Sequence, residues 1–170
     1  SIQAHQDGCE FLLAFDDGTF SENGTLLLTD LLMHMPPEVV AKNFGQPESA
    51  FATLPREELY IFWAPAPQPL EEALVPAADP NVQPPQYSFH LSRIDHVQCP
   101  AGTVKIVDAR NFPVTTISSA LIEVEPGGMR EIHWHPNADE WQYFLRGTAR
   151  MTVFDTGNVA RTFDYRAGDV

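Results

Sequence analysis

Proline divides this chain. Seven of its 15 prolines fall in residues 64–86, and that density holds backbone extended, removes amide donors from any ladder and breaks helices. No continuous layer of sheet or helix crosses such a stretch, so the 170 residues are expected to form two pieces joined by a linker at 63–86. The pieces differ in charge: residues 1–86 carry 13 acids and 2 bases, residues 87–170 carry 10 acids and 8 bases. Two surfaces of separate character follow.

The whole chain carries a formal charge of −13, which repels phosphate backbones and anionic headgroups, so neither nucleic acid nor a membrane surface is an expected partner. The longest apolar candidates, 25–35 and 117–124, fall short of the roughly 18 residues that span a bilayer. With 44% hydrophobic and 11% aromatic residues the chain can bury apolar surface and is not a disordered tail. Cys9 and Cys99 are its two thiols, too few for a disulfide framework or a cysteine zinc site.

Before the linker, the run at 10–15 reads as a strand closed by Asp16-Asp17-Gly18. Thr29 or Asp30 is placed to cap a helix over 31–35, and Pro36-Pro37 suits the first turn of a second over 38–43, ended by Gly45. A short turn at 49–54 and a strand at 60–63 complete this part. After the linker, strands are expected at 87–91, 103–108, 114–125, 130–135, 140–145, 149–154 and 160–165. Turn signals at Gly127-Gly128, Pro136-Asn137, Gly147 and Gly157-Asn158 separate the later ones. The opening at Ser1 and the turn-like close Arg166-Ala-Gly-Asp-Val170 lead to the expectation that the chain is a piece of a longer protein.

Chemistry concentrates at His133-Trp134-His135. On a strand this spacing aims both imidazoles at one face. Glu140 follows a Pro-Asn turn, and a hairpin there would fold its carboxylate back beside them. Two neutral imidazoles and a carboxylate bind first-row divalent metals, and the absence of thiolate argues against a closed structural zinc site. The ligand types alone leave Mn, Fe, Zn and Cu open. Arg130, three residues before His133, falls on the opposite face of a regular strand unless a bulge near Gly128 turns it inward. Trp134 and Trp141 alternate away from the ligands and are read as core or subunit contacts; His5, His34, His90 and His96 are scattered and read as structural or surface residues.

The string Gly127, His133-Trp134-His135, Glu140, Gly147 matches the first motif of the cupins, and the whole chain resembles the bicupin oxalate decarboxylases. The likeness runs through Phe15-Asp16-Asp17-Gly18-Thr19-Phe20-Ser21-Glu22-Asn23, Ala41-Lys42-Asn43-Phe44-Gly45, Arg130-Glu131-Ile132-His133-Trp134-His135-Pro136-Asn137, Glu140-Trp141-Gln142-Tyr143 and Ala149-Arg150-Met151-Thr152-Val153-Phe154. It implies an all-β, double-stranded β-helix or jelly-roll fold, present as part of a bicupin with a short helical insertion. Residues 1–62 would then be the later part of a first cupin with that insertion, and 87–170 the earlier part of a second.

The resemblance also implies function: oxalate cleaved to formate and carbon dioxide by a homo-oligomer with two Mn2+ per full-length chain and dioxygen as co-catalyst. His133, His135 and Glu140 would be three of the four ligands of the second-cupin metal, the fourth lying beyond Val170, and Arg130 would orient substrate. The 170 residues alone are therefore expected to bind metal poorly and to be inactive. Ser21-Glu22-Asn23-Gly24-Thr25 resembles the lid over the first-cupin metal, with Glu22 as the catalytic acid. Gly24 stands where the usual lid has Ser, which loosens the loop. Asn23-Gly24-Thr25 is also a glycosylation sequon, read as coincidental because a glycan there would obstruct the lid. The alternatives are oxalate oxidase, with hydrogen peroxide as product, and a non-catalytic storage or sugar-binding bicupin.

Overall fold

The computed structural model describes residues 1–21, 24–74, 86–113, 116–157 and 159–170. They form two compact units, Ser1–His90 with Val107–Ser119, and Leu91–Ile106 with Ala120–Val170.

Helices in the first unit follow the proline and glycine punctuation. α1 spans Leu28–Met33. It starts earlier than expected, with Leu27 at the N-cap position and no side-chain cap, so neither Thr29 nor Asp30 is the capping residue. Asp30 instead stands in the first turn, where its charge meets the positive helix end, and its backbone carbonyl lies 2.8 Å from His34 Nδ1. α2 spans Pro37–Phe44, with Pro37 at its first position and Gly45 left-handed at φ 61°. The Gln46 amide donates to the Ala41 carbonyl at 3.0 Å and that of Gly45 to Lys42 at 3.4 Å, the paired bonds that satisfy a helix C-terminus. α2 also supplies two of the three buried hydrophobic residues among those described, Val40 and Ala41, the third being Val107. A 3-10 turn at Glu48–Phe51 sets Phe51 5.7 Å from the Phe44 ring. α3, Leu70–Ala73, was not expected. It occupies the one proline-free run of good helix formers within the linker, and Pro69 precedes it as a natural start. Residues 75–85 lie outside those described.

The second unit contains nearly all of the sheet. β1 (Val97–Cys99), β2 (Gly102–Val107) and β3 (Ser119–Val124) form one three-stranded sheet in that order; β4 (Thr148–Asp155) and β5 (Val159–Arg166) form an antiparallel pair. The β4–β5 register pairs Arg150 with Asp164 and Thr152 with Thr162. On that face the Arg150 guanidinium donates to both Asp164 oxygens at 2.7 and 2.8 Å, and the two threonine hydroxyls meet at 2.9 Å. The hydrogen bonds from Arg150 hold the Asp164 carboxyl below its usual range. Met151, Phe163 and Tyr165 alternate onto the other face, where Tyr165 stacks on Phe144 at 4.7 Å.

Several expected strands are absent as ladders. Residues 10–15, 60–63, 87–91, 130–135 and 140–145 carry no strand hydrogen bonding among the described residues, and 91–93 form a 3-10 turn instead. An apolar pattern makes a strand only when neighbours accept its amides in a continuous ladder, and among the described residues these segments have no such ladder. Val114 and Thr115, within the expected strand 114–125, lie outside the described residues; β3 accounts for its second half.

Two anchors position what lies between the sheets. At one end, the Glu125 amide donates to the Ala101 carbonyl at 3.0 Å, and the chain turns at Gly127 (φ 80°) and Gly128. A Cβ on Gly128 would sit 2.9 Å from both the Ala101 carbonyl and Val124 Cγ1, so only glycine fits. At the other end, Phe144 exchanges backbone bonds with Asp169 (3.0 Å) and Gly168 (2.8 Å), and Arg146 pairs with Glu123. No helix among the described residues is long and apolar enough to cross a membrane.

The β2–β3 contact yields a stability test. A Cβ on Gly102 would run into the Glu123 carbonyl, whereas one on Gly18 meets nothing within 4 Å. Gly102→Ala should cost about 1–3 kcal/mol in urea unfolding, while Gly18→Ala should stay within about 0.5 kcal/mol of the parent.

Candidate metal centre

His133, His135 and Glu140 converge in the second unit. One ligand atom from each lies within 4.8 Å of the others. His135 Nε2 is 2.9 Å and His133 Nε2 3.6 Å from the same Glu140 oxygen, Oε2. The imidazole rings meet edge to face at 5.4 Å and 82°, which keeps both Nε2 atoms near one point without stacking the rings.

The His133 tautomer is set by its other nitrogen. Nδ1 lies 2.7 Å from the Glu131 carbonyl, a pure acceptor, so Nδ1 carries the proton and Nε2 presents a lone pair. His135 Nε2 shares a hydrogen with Glu140 and must lose it before it can ligate. Glu140 is the hub. Oε2 faces the imidazoles, while Oε1 accepts from Arg130 Nη1 at 3.0 Å and from Gln142 Nε2 at 2.5 Å. Partial burial pushes the Glu140 carboxyl up, but the Gln142 hydrogen bond, the Arg130 charge and hydrogen bond, and His135 outweigh it and leave the group below its usual range. It is thus ionised and ready to ligate.

This donor set fits a first-row divalent ion: two imidazole nitrogens and a carboxylate oxygen, without thiolate. In this chain the side chains are 32–46% exposed.

Arg130 reaches the site although strand alternation placed it on the far face. Residues 129–135 lie outside any ladder and follow the Gly127-Gly128 turn, so period-two geometry does not govern them. The sequence reading assigned no role to Gln142. Its signal was present, because two residues after Glu140 an extended chain returns to the same side, and Trp141 and Tyr143 stack with each other at 6.2 Å between and beyond them. Glu22 lies outside the described residues.

Residues 89–170 match the family model described as cupin. The chain is also 50% identical over 171 residues to the oxalate decarboxylase of Bacillus subtilis strain 168, covering 100% of this chain and 44% of that one. Residues 89–170 belong to the cupin family. Its fold agrees: a solved structure of the B. subtilis oxalate decarboxylase, concerned with its Mn(II) centres, superposes with a TM-score of 0.83 at 49% identity, covering 91% of this chain and 41% of that one. Another solved form of that enzyme, in which a Ser-Glu-Asn-Ser segment is replaced by Asp-Ser-Ser-Asn, gives 0.83 at 47% identity with the same coverage, 91% and 41%. The present cupin thus spans less than half the length of these relatives. Its antiparallel sheets and few helices are those of the cupin fold.

The tautomer is directly observable. In the metal-free protein, ring nitrogen shifts of the neutral His133 imidazole should show the proton on Nδ1 and Nε2 bare; the reverse pattern would contradict the Glu131 contact.

Proposed function

We propose that these residues belong to a manganese-dependent oxalate decarboxylase, which converts oxalate to formate and carbon dioxide with dioxygen as co-catalyst. One observation carries the reading: an open His133, His135 and Glu140 cluster in a chain half identical, along its whole length, to an oxalate decarboxylase. The Mn(II) centres of that relative favour manganese, which the ligand types alone leave open.

His133, His135 and Glu140 would hold the ion at the second-cupin site, and the ion with dioxygen would supply removal and return of one electron. Oxalate is a dianion approaching a chain of charge −13, so local positive charge must receive it. Arg130 is the cationic side chain bonded to Glu140, and its guanidinium fork can orient a carboxylate through paired hydrogen bonds. Mutual geometry keeps it beside the ligands before substrate arrives.

Once carbon dioxide has left, the remaining one-carbon radical anion needs a proton at carbon. Glu22 is assigned that step at the first-cupin site, where a lid acid could supply the proton. The support is sequence: the relative's Ser-Glu-Asn-Ser segment shares three residue types in order with Ser21-Glu22-Asn23-Gly24. An acid here separates this reading from an oxidase, in which the second electron passes to dioxygen and peroxide forms.

In the full-length protein, Glu22→Ala should leave bound manganese unchanged, suppress formate and raise hydrogen peroxide. Formate production equal to the parent's would overturn the assignment of Glu22.

A further inference from the structure

The Glu140 carboxylate is divided between two tasks. Oε2 faces His135 Nε2 and His133 Nε2, at 2.9 and 3.6 Å. Oε1 takes two donors from the opposite side, Gln142 Nε2 at 2.5 Å and Arg130 Nη1 at 3.0 Å. A carboxylate oxygen offers about two lone-pair directions, so Oε1 has none left for an ion. An ion that engaged both oxygens would have to displace an amide and come up against a guanidinium charge. Gln142 has no choice of orientation, because an ionised carboxylate only accepts, and its amide nitrogen is therefore the atom facing Glu140.

We propose that Gln142 is a positioning residue which, with Arg130, fixes the Glu140 rotamer and restricts this carboxylate to binding metal through Oε2 alone. The inference rests on the metal-centre reading above. Gln142 touches neither the ion nor the substrate; it acts through Glu140. The arrangement leaves one more coordination position free than two-oxygen binding would, and that position is available to oxalate or dioxygen. It also makes the Gln142 amide, rather than Arg130 alone, the group that holds the carboxylate when the guanidinium turns to a substrate carboxylate. Arg130 can then serve substrate without releasing the ligand.

The experiment compares the full-length parent with Gln142→Met, which keeps the length and loses the donor, and with Gln142→Asn, which keeps an amide one methylene too short. His133→Ala is the reference. Mn2+ binding is followed by the electron paramagnetic resonance of free Mn2+, and the binding phase that His133→Ala removes is assigned to this site. The separation of the asymmetric and symmetric carboxylate stretches is read in 13C-glutamate infrared difference spectra against the same reference. Both Gln142 variants should weaken that phase about 10- to 100-fold, the usual consequence of removing a hydrogen-bond partner from a ligand. The carboxylate separation should narrow as Oε1 becomes free to bind.

Unchanged affinity in the Gln142 variants, or weaker affinity with an unchanged carboxylate separation, would overturn the positioning role while leaving the metal site in place. Full Mn2+ retention by His133→Ala would instead overturn the underlying metal reading. If Gln142→Met does not fold, Gln142→Asn decides by the same two measurements.

Discussion

The candidate metal centre depends on one carboxylate held from both sides. Glu140 Oε2 is hydrogen-bonded to His135 Nε2 and lies 3.6 Å from His133 Nε2, while its Oε1 accepts from Arg130 and Gln142. Without that carboxylate, His135, Arg130 and Gln142 would have no common acceptor. With it, a cluster of mixed sign becomes compact while staying open to solvent. The cost of drawing a carboxylate partly out of water is met by three kinds of donor, and the group remains ionised.

Glycine turns hold that carboxylate in register with the imidazoles. Gly128 packs too closely against Ala101 and Val124 for any side chain, which starts the 129–135 segment at a fixed point next to β3. Past Glu140, the Phe144 backbone is tied to Gly168 and Asp169, and its ring lies on Tyr165. The ligand-bearing segments thus run between two anchors supplied by different sheets. Their geometry is a property of the anchors more than of local strand preference, since neither segment belongs to a ladder.

Sequence made some of this legible and concealed the rest for physical reasons. Pro37 and Gly45 fixed α2 almost to the residue, because φ restriction and left-handed backbone are local properties. Turn signals at Gly147 and Gly157-Asn158 bounded β4 and β5, which pair with each other. The strands expected at 10–15, 130–135 and 140–145 did not form ladders among the described residues, since a strand is completed by a neighbour that no local pattern can provide. The histidine pair and Glu140 were legible from spacing and residue chemistry. Arg130 was legible only through family resemblance, because a double-glycine turn breaks the periodicity that would have excluded it. Gln142 was visible as a motif residue, but its partner oxygen emerges only when the carboxylate is seen to be shared.

We propose that His133, His135 and Glu140 hold manganese in the full-length protein. Anomalous diffraction from crystals of the full-length protein, recorded on both sides of the manganese absorption edge, tests it most directly. The account predicts a manganese peak within coordination distance of His133 Nε2, His135 Nε2 and Glu140 Oε2. A structure with these three side chains ordered and no manganese among them, from protein that releases formate from oxalate, would contradict it.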